Sequence, residues 1–251
     1  MIISIINFTN ESLSDEEIQK AIRAINRQIK EDFEPYWSMG ACLRLEGKIE
    51  TNLNKENPVD IRGDAVIYIK DTVDDVKNAL GYHDKNYHGI PYGFVFADLV
   101  KQYNENWTAT LSHEALELIG DPEVNLLAAG PHPENPNKEV FHWYEMCDAV
   151  QNETYKIDEI EVSNFVLPLY FTTNEEEGSR NDFLGRKYNG KTLKSFGVNP
   201  GGYVGFYDPS KKEHDTYSMK GDKRAEERMI IKTKAAGARR AIRYQNIHKN
   251  N

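Results

Sequence analysis

Four isoleucines, Ile18, Ile22, Ile25 and Ile29, constrain this chain more than any other feature. Their spacing puts all four side chains on one face of an α-helix. Just ahead of them, Ser14-Asp15-Glu16-Glu17 has the Ser-x-x-Glu form of a capping box, which announces a helix start. A β-rich run at residues 2–8 comes before it, and Pro35 is expected to close the helical region. A helix with a single apolar stripe needs a flat apolar surface to cover, so this opening predicts a helix laid on a sheet. Further strands are expected at residues 41–45 and 65–69, and the second, Ala-Val-Ile-Tyr-Ile, reads as a central strand. A short helix at 73–80, a His- and Tyr-rich loop over 81–84 and 87–92, and a strand at 93–97 are expected next. The strand near Tyr92 would be the sheet edge, able to pair with an extended peptide.

Length and composition narrow the class. A chain of 251 residues with 39% hydrophobic and 28% charged residues can bury a sizeable core and reads as a water-exposed globular protein. No apolar run reaches the length of a membrane span, and the apolar N-terminal residues lack the basic start of a signal peptide, so a cytoplasmic location without membrane association is expected. Two cysteines, Cys42 and Cys147, do not make a disulfide framework and fit a reducing compartment. The net charge of −9 is unevenly placed: residues 220–251 carry +7 and the preceding residues −16. An acidic body argues against non-specific nucleic-acid binding, while the basic end suits an attachment arm.

The segment 111–122, Leu-Ser-His-Glu-Ala-Leu-Glu-Leu-Ile-Gly-Asp-Pro, carries candidate chemistry. On a helix, His113 and Glu117 lie four apart on one face and converge, so a cation such as zinc would fit between imidazole and carboxylate. Glu114, offset by one residue, stands where H-E-x-x-H enzymes keep the general base for a metal-activated water. Here the second histidine is replaced by glutamate. The opposing reading is an amphipathic helix whose Ala115, Leu116, Leu118 and Ile119 pack inward while the acids are solvated. Ser112 or Thr110 is expected to cap this short helix, with Gly120 and Asp121-Pro122 stopping it.

A second cluster lies at 140–150, where Glu145 and Asp148 sit among Phe141, Trp143, Tyr144, Met146 and Val150. Burying an acid in such company is costly unless something pairs with it. Glu145 is the expected third metal ligand beside His113 and Glu117, with one position left for water; Asp148 reads equally as half of a salt bridge. Cys147 reads as core. His83 and His88 read as exposed loop histidines, with a reach to the site as the alternative, and Tyr92 or Tyr144 as aids to an oxyanion. His132 reads as part of a proline-rich loop, and His142 carries no assigned role. Farther on, residues 160–171 predict a strand pair broken at Pro168, and Pro200-Gly201-Gly202 a hairpin turn. Residues 174–180 read as an acidic loop and 221–245 as helix-compatible.

Together, Ser-His-Glu-Ala-Leu-Glu-Leu-Ile-Gly-Asp-Pro and Tyr-Glu-Met-Cys-Asp-Ala-Val-Gln resemble a group of zincin-type metallopeptidases with an H-E-x-x-E segment ending in Asp-Pro, followed by an E-x-x-D element. The resemblance spans about residues 81 to 171 and maps onto His113, Glu114, Glu117, Asp121, Glu145 and Asp148. It implies an α+β fold with a zincin-like mixed sheet over an active-site helix, and a zinc-dependent hydrolase acting on a peptide or protein substrate. Asp121 and Asp148 are alternative third ligands, and a longer zincin pattern would use Glu123. The expected organisation is a metal-binding domain at 1–171, a β-hairpin elaboration at 172–219 and a basic segment at 220–251. Two rival readings stand beside this one: a non-catalytic binding protein on the same fold, attached to a larger assembly through its basic segment, and a metal-free salt-bridge network in which His113 pairs with Glu117 or Asp121.

Overall fold

Ser14 forms the cap its sequence announces. Its hydroxyl accepts from the backbone N–H of Glu17 at 3.3 Å, and the Glu17 carboxylate accepts from the backbone N–H of Ser14 at 2.8 Å. The computed structural model describes residues 1–48, 62–72, 81–86, 88–173, 179–223, 225 and 226. The first strand, β1 (Ile2–Phe8), leads through this cap into helix α1 (Asp15–Arg27). The helix does not stop before Pro35: it continues through a π-helical turn, Gln28–Phe33, into a short helix α2 (Glu34–Trp37). Pro35 stands where the π-helical turn gives way to α2. Ser38, in the left-handed conformation, ends the run.

Strands β2 (Cys42–Glu46) and β3 (Ala65–Lys70) flank β1, both parallel to it. Strand β4 (Gly81–Lys85) pairs antiparallel with β5 (Pro91–Phe96), which lies parallel to β3. The sheet order is β2-β1-β3-β5-β4. Among the described residues the sheet edge beside the candidate site is therefore β4, which the sequence suggests as loop, while the strand containing Tyr92 is interior. A turn closes the β4–β5 hairpin, with the Asn86 side chain accepting from the backbone N–H groups of His88 and Ile90. The helix expected at 73–80 lies outside the described residues.

Alternation along these strands gives the sheet two apolar faces. One presents Ile3, Ile5, Ile67, Ile69 and Val95 to the α1 stripe, where Ile18, Ile22, Ile25 and Ile29 are all buried. The other carries an aromatic layer of Tyr68, Tyr82, Tyr92, Phe94 and Phe96. Tyr92 thus faces away from the helices, which removes it from any role at His113.

After β5 the chain forms helix α3 (Ala97–Gln102) and then α4 (Trp107–Gly120). The cap of α4 is Asn106, whose side chain accepts from the Thr108 backbone N–H at 3.1 Å; Thr110 and Ser112 lie inside the helix. Every residue from Thr110 to Gly120 is buried, so α4 is a core helix packed against β4, β5 and β9 (Ile160–Ser163) and not a surface helix with a wet acidic face. A closed set of buried bonds fixes its rotation. Ser112 donates to the Gln28 side-chain oxygen at 2.6 Å, Gln28 donates to the Ser163 carbonyl at 2.7 Å, and Ser163 N–H donates to Ser112 at 3.1 Å.

The remaining strands form β6 (Leu127–His132) and β7 (Asn135–Trp143), a hairpin where the sequence suggested a proline-rich loop, and β8 (Thr154–Ile157), which pairs with β9. Residues 168–171 form a 3-10 turn, so the strand pair expected across 160–171 is instead β8 with β9. Strands β10 (Tyr203–Asp208) and β11 (Glu213–Ser218) make the C-terminal hairpin, one turn later than Pro200-Gly201-Gly202 implied, and join the sheet β11-β10-β7-β6. The fold is α+β. Among the described residues no helix is long and apolar enough to cross a membrane. Residues 174–178, and nearly all of the basic segment, lie outside the described residues.

Candidate metal centre

Three stretches of chain meet at one buried cluster: β4, α4 and the segment after β7. From α4 come His113, Glu114 and Glu117, which are 8%, 2% and 1% exposed. The helical spacing brings His113 Nε2 to 3.2 Å from Glu117 Oε2, the convergence expected of positions four apart. Asp148 enters from the segment after β7 and sets its Oδ1 3.3 Å from the same imidazole nitrogen. That nitrogen is buried and aligned for a hydrogen bond with neither oxygen.

β4 supplies His83, a buried residue that sequence reasoning had left in an exposed loop. Its Nδ1 lies 3.1 Å from Glu114 Oε2 and 3.6 Å from Glu117 Oε2, and its Nε2 lies 3.8 Å from Glu145 Oε2. The alternation of Gly81-Tyr-His-Asp is the signal that marks it: Tyr82 turns to the aromatic layer, so His83 must turn to α4. Gly93 lies opposite it on β5, where a Cβ would stand 3.2 Å from the Tyr82 carbonyl and 3.3 Å from Ile67 Cγ1.

Glu145, Cys147 and Asp148 are held against the end of α4. The Cys147 backbone N–H donates to Glu117 Oε1 at 3.2 Å, which leaves Oε2 to face the two histidines. Met146 packs on Gly120, where any Cβ would overlap its thioether. Among the described residues, three sets of ligand atoms lie within 4.8 Å of one another: His113, Glu117 and Cys147; His83, Glu114 and Glu117; Glu117, Glu145 and Asp148. The structure thus brings together His113, Glu114, Glu117 and Glu145, with Asp148, one of the alternative third ligands, and His83 beside them.

Other candidates fall away. Asp121 accepts with both oxygens from the backbone N–H groups of Asn125 and Leu126, which makes it the brace of the turn after α4. Glu123 is exposed and paired with Lys85 at 2.9 Å. Tyr144 stacks on Phe171, with ring centroids 4.3 Å apart, and edges onto Trp37. His142 donates from Nε2 to the Pro131 carbonyl, and burial lowers its pKa to about 4.

Electrostatics distinguish the members of the cluster. Burial alone would lower the His113 pKa, but the charge of Glu117, with Asp148 and Glu114 behind it, raises it to about 10. Burial, followed by the charges of Glu117 and Asp148, pushes the Cys147 thiol well above its usual range and keeps it protonated. A cavity of about 700 Å³ opens beside the cluster, lined among others by Gly81, Thr110, His113, Glu114, Ser163 and Tyr203.

The donors fit a zinc ion. Nitrogen and carboxylate oxygen are borderline and hard ligands of the kind zinc accepts. Two ligands bound at 2.0–2.2 Å in a tetrahedron stand about 3.4 Å apart. The His113–Glu117, His113–Asp148 and His83–Glu117 separations, 3.2, 3.3 and 3.6 Å, straddle that value. Comparison of the chain with family models, with curated proteins and with solved structures finds no match, so the chemistry of the site rests on its own residues.

Proposed function

We propose that the chain is a metal-dependent hydrolase, with zinc as the metal and a peptide or amide bond as the target. The carrying observation is the convergence of His113, Glu117 and Asp148 at ligand-like separations inside the core, with Glu114 beside them at the wall of a cavity. Glu145 approaches the same group from the side of His83. The five-stranded mixed sheet with an antiparallel edge strand next to a buried helix supports a zincin-like arrangement.

When bound, the metal supplies Lewis acidity, which acidifies water and polarises a carbonyl. The chain's own residues supply the rest. His113, Glu117 and Asp148 fix the position of the charge. Glu114 takes the proton of the attacking water and returns it to the leaving nitrogen. His83 Nδ1 lies 3.1 Å from Glu114 Oε2, so the imidazole borders that carboxylate and limits where it can turn. Among the described residues β4 ends the sheet, so its outer edge is placed to pair with an extended backbone, which favours a peptide over a compact substrate.

The test is metal content and turnover on untagged protein. We expect bound zinc in the wild type and its loss from the His113→Ala variant. The Glu114→Gln variant should keep zinc at His113 yet lose turnover on a peptide library by about 10²–10⁴-fold. Protein that binds no metal after zinc is offered would reduce the cluster to imidazolium–carboxylate pairs and end the hydrolase reading.

A further inference from the structure

We infer that the cluster holds two divalent cations, sharing Glu117 as the bridging ligand. The inference rests on the metal-dependent reading above and extends it. One locus is formed by His113, Glu117 and Asp148, the other by His83, Glu117 and Glu114.

Geometry is the first support. The three sets of mutually close ligand atoms found among the described residues all contain Glu117: His83 falls in one with Glu114, His113 in another with Cys147, and Asp148, 3.3 Å from His113, in the third. Glu117 Oε1 is engaged by the Cys147 backbone N–H, so Oε2 is the atom that meets both imidazoles, 3.2 Å from His113 Nε2 and 3.6 Å from His83 Nδ1. An oxygen between two nitrogen ligands on separate elements is where a carboxylate spans two ions. Paired catalytic cations stand about 3.5–4 Å apart, a separation one shared carboxylate can hold.

Charge is the second. Glu114, Glu117, Glu145 and Asp148 bring four carboxyl groups into one pocket, with side-chain exposures of 3%, 1%, 14% and 5%. Imidazoles that ligate metal are neutral. Four carboxylates and two neutral imidazoles make a ligand set whose charge two divalent ions match, which one ion does not. Glu114 keeps its role: it faces His83 through Oε2, and Oε1 lies over Gly81, where the missing side chain leaves it room.

The experiment uses full-length protein stripped with chelator, then titrated with zinc alone and counted by elemental analysis after desalting. Two zinc ions per chain are expected, and one in the His83→Ala variant. Reloading the wild type with manganese should give an exchange-coupled paramagnetic spectrum, a readout that needs no variant. One zinc per chain in the wild type would overturn the second locus and leave the single-ion reading standing. No zinc at all would overturn both. Two zinc ions with an uncoupled manganese spectrum would overturn the Glu117 bridge.

Discussion

Gly81 determines where Glu114 can put its carboxylate. A Cβ at this position would stand 2.8 Å from Glu114 Oε1, 2.9 Å from the Phe94 carbonyl and 2.9 Å from Thr110 Cγ2. Two of these neighbours are a backbone atom and a packed helical side chain, so little can yield. Gly81→Ala is expected to destabilise the protein by about 1–3 kcal/mol and to reduce turnover further by displacing Glu114; urea denaturation and rates per folded molecule separate the two. His113, Glu114 and Glu117 could be read from sequence because a helix converts their spacing into proximity. His83 could not, because its partner Glu114 is 31 residues away and only the packing of α4 on β4 brings the two together. Asp148 was ambiguous for a related reason: an acid in an apolar run must have a partner, and a sequence does not say which.

Element by element, the strongest local patterns were the most legible. The capping box, the isoleucine stripe and the apolar run of β3 each carry one unmistakable period, and each became the expected helix or strand. β4 and the β6–β7 hairpin are hard to read because Gly-Tyr-His-Asp-Lys and the Gly-Pro-His-Pro run mix polar, aromatic and proline residues whose strand preference depends on what they pair with. The start of α4 was set too late because Asn106 caps it through a turn of Trp and Thr that shows no helical stripe. A helix buried on every face has none to show. What holds α4 in register is the Gln28–Ser112–Ser163 set of bonds, and its Gln28 member stands at the start of the π-helical turn. Ser112→Ala leaves the Ser163 N–H and the Gln28 oxygen buried without that partner, at an expected cost of about 1–3 kcal/mol. The Ser112→Ala, Gln28→Leu double variant should lose less than the sum of the singles, as a double-mutant cycle in urea would read.

For the whole molecule, the α+β class was legible from the order of patterns, while the sheet order was not, because long-range pairing has no local signature. The pH dependence of the metal-free protein follows from two histidines. His113 has its pKa raised to about 10 in the fold, above the unfolded value of about 6.5. Its contribution is therefore fully present below pH 6.5 and is lost as pH rises through about 10. His142, lowered to about 4, acts in the opposite direction, and its contribution is lost as pH falls from about 6.5 towards 4. Urea midpoints of metal-free protein should peak near neutral pH, with an alkaline slope of at most about 1.4 kcal/mol per pH unit from His113. Zinc requires the neutral imidazole, so loading should flatten the alkaline limb, as should His113→Asn.

The covering of α4 on every side has a consequence in time. Amide protons along Thr110–Gly120 have no exposed face through which to open, so they belong to the slowest-exchanging part of the molecule. His83 stands on an edge strand, and Glu145 and Asp148 border a single 3-10 turn, both of which open at lower energy. The cluster is thus half anvil and half jaw: hydrogen exchange is expected to show the α4 amides around His113, Glu114 and Glu117 opening last, and those around His83, Glu145 and Asp148 opening first.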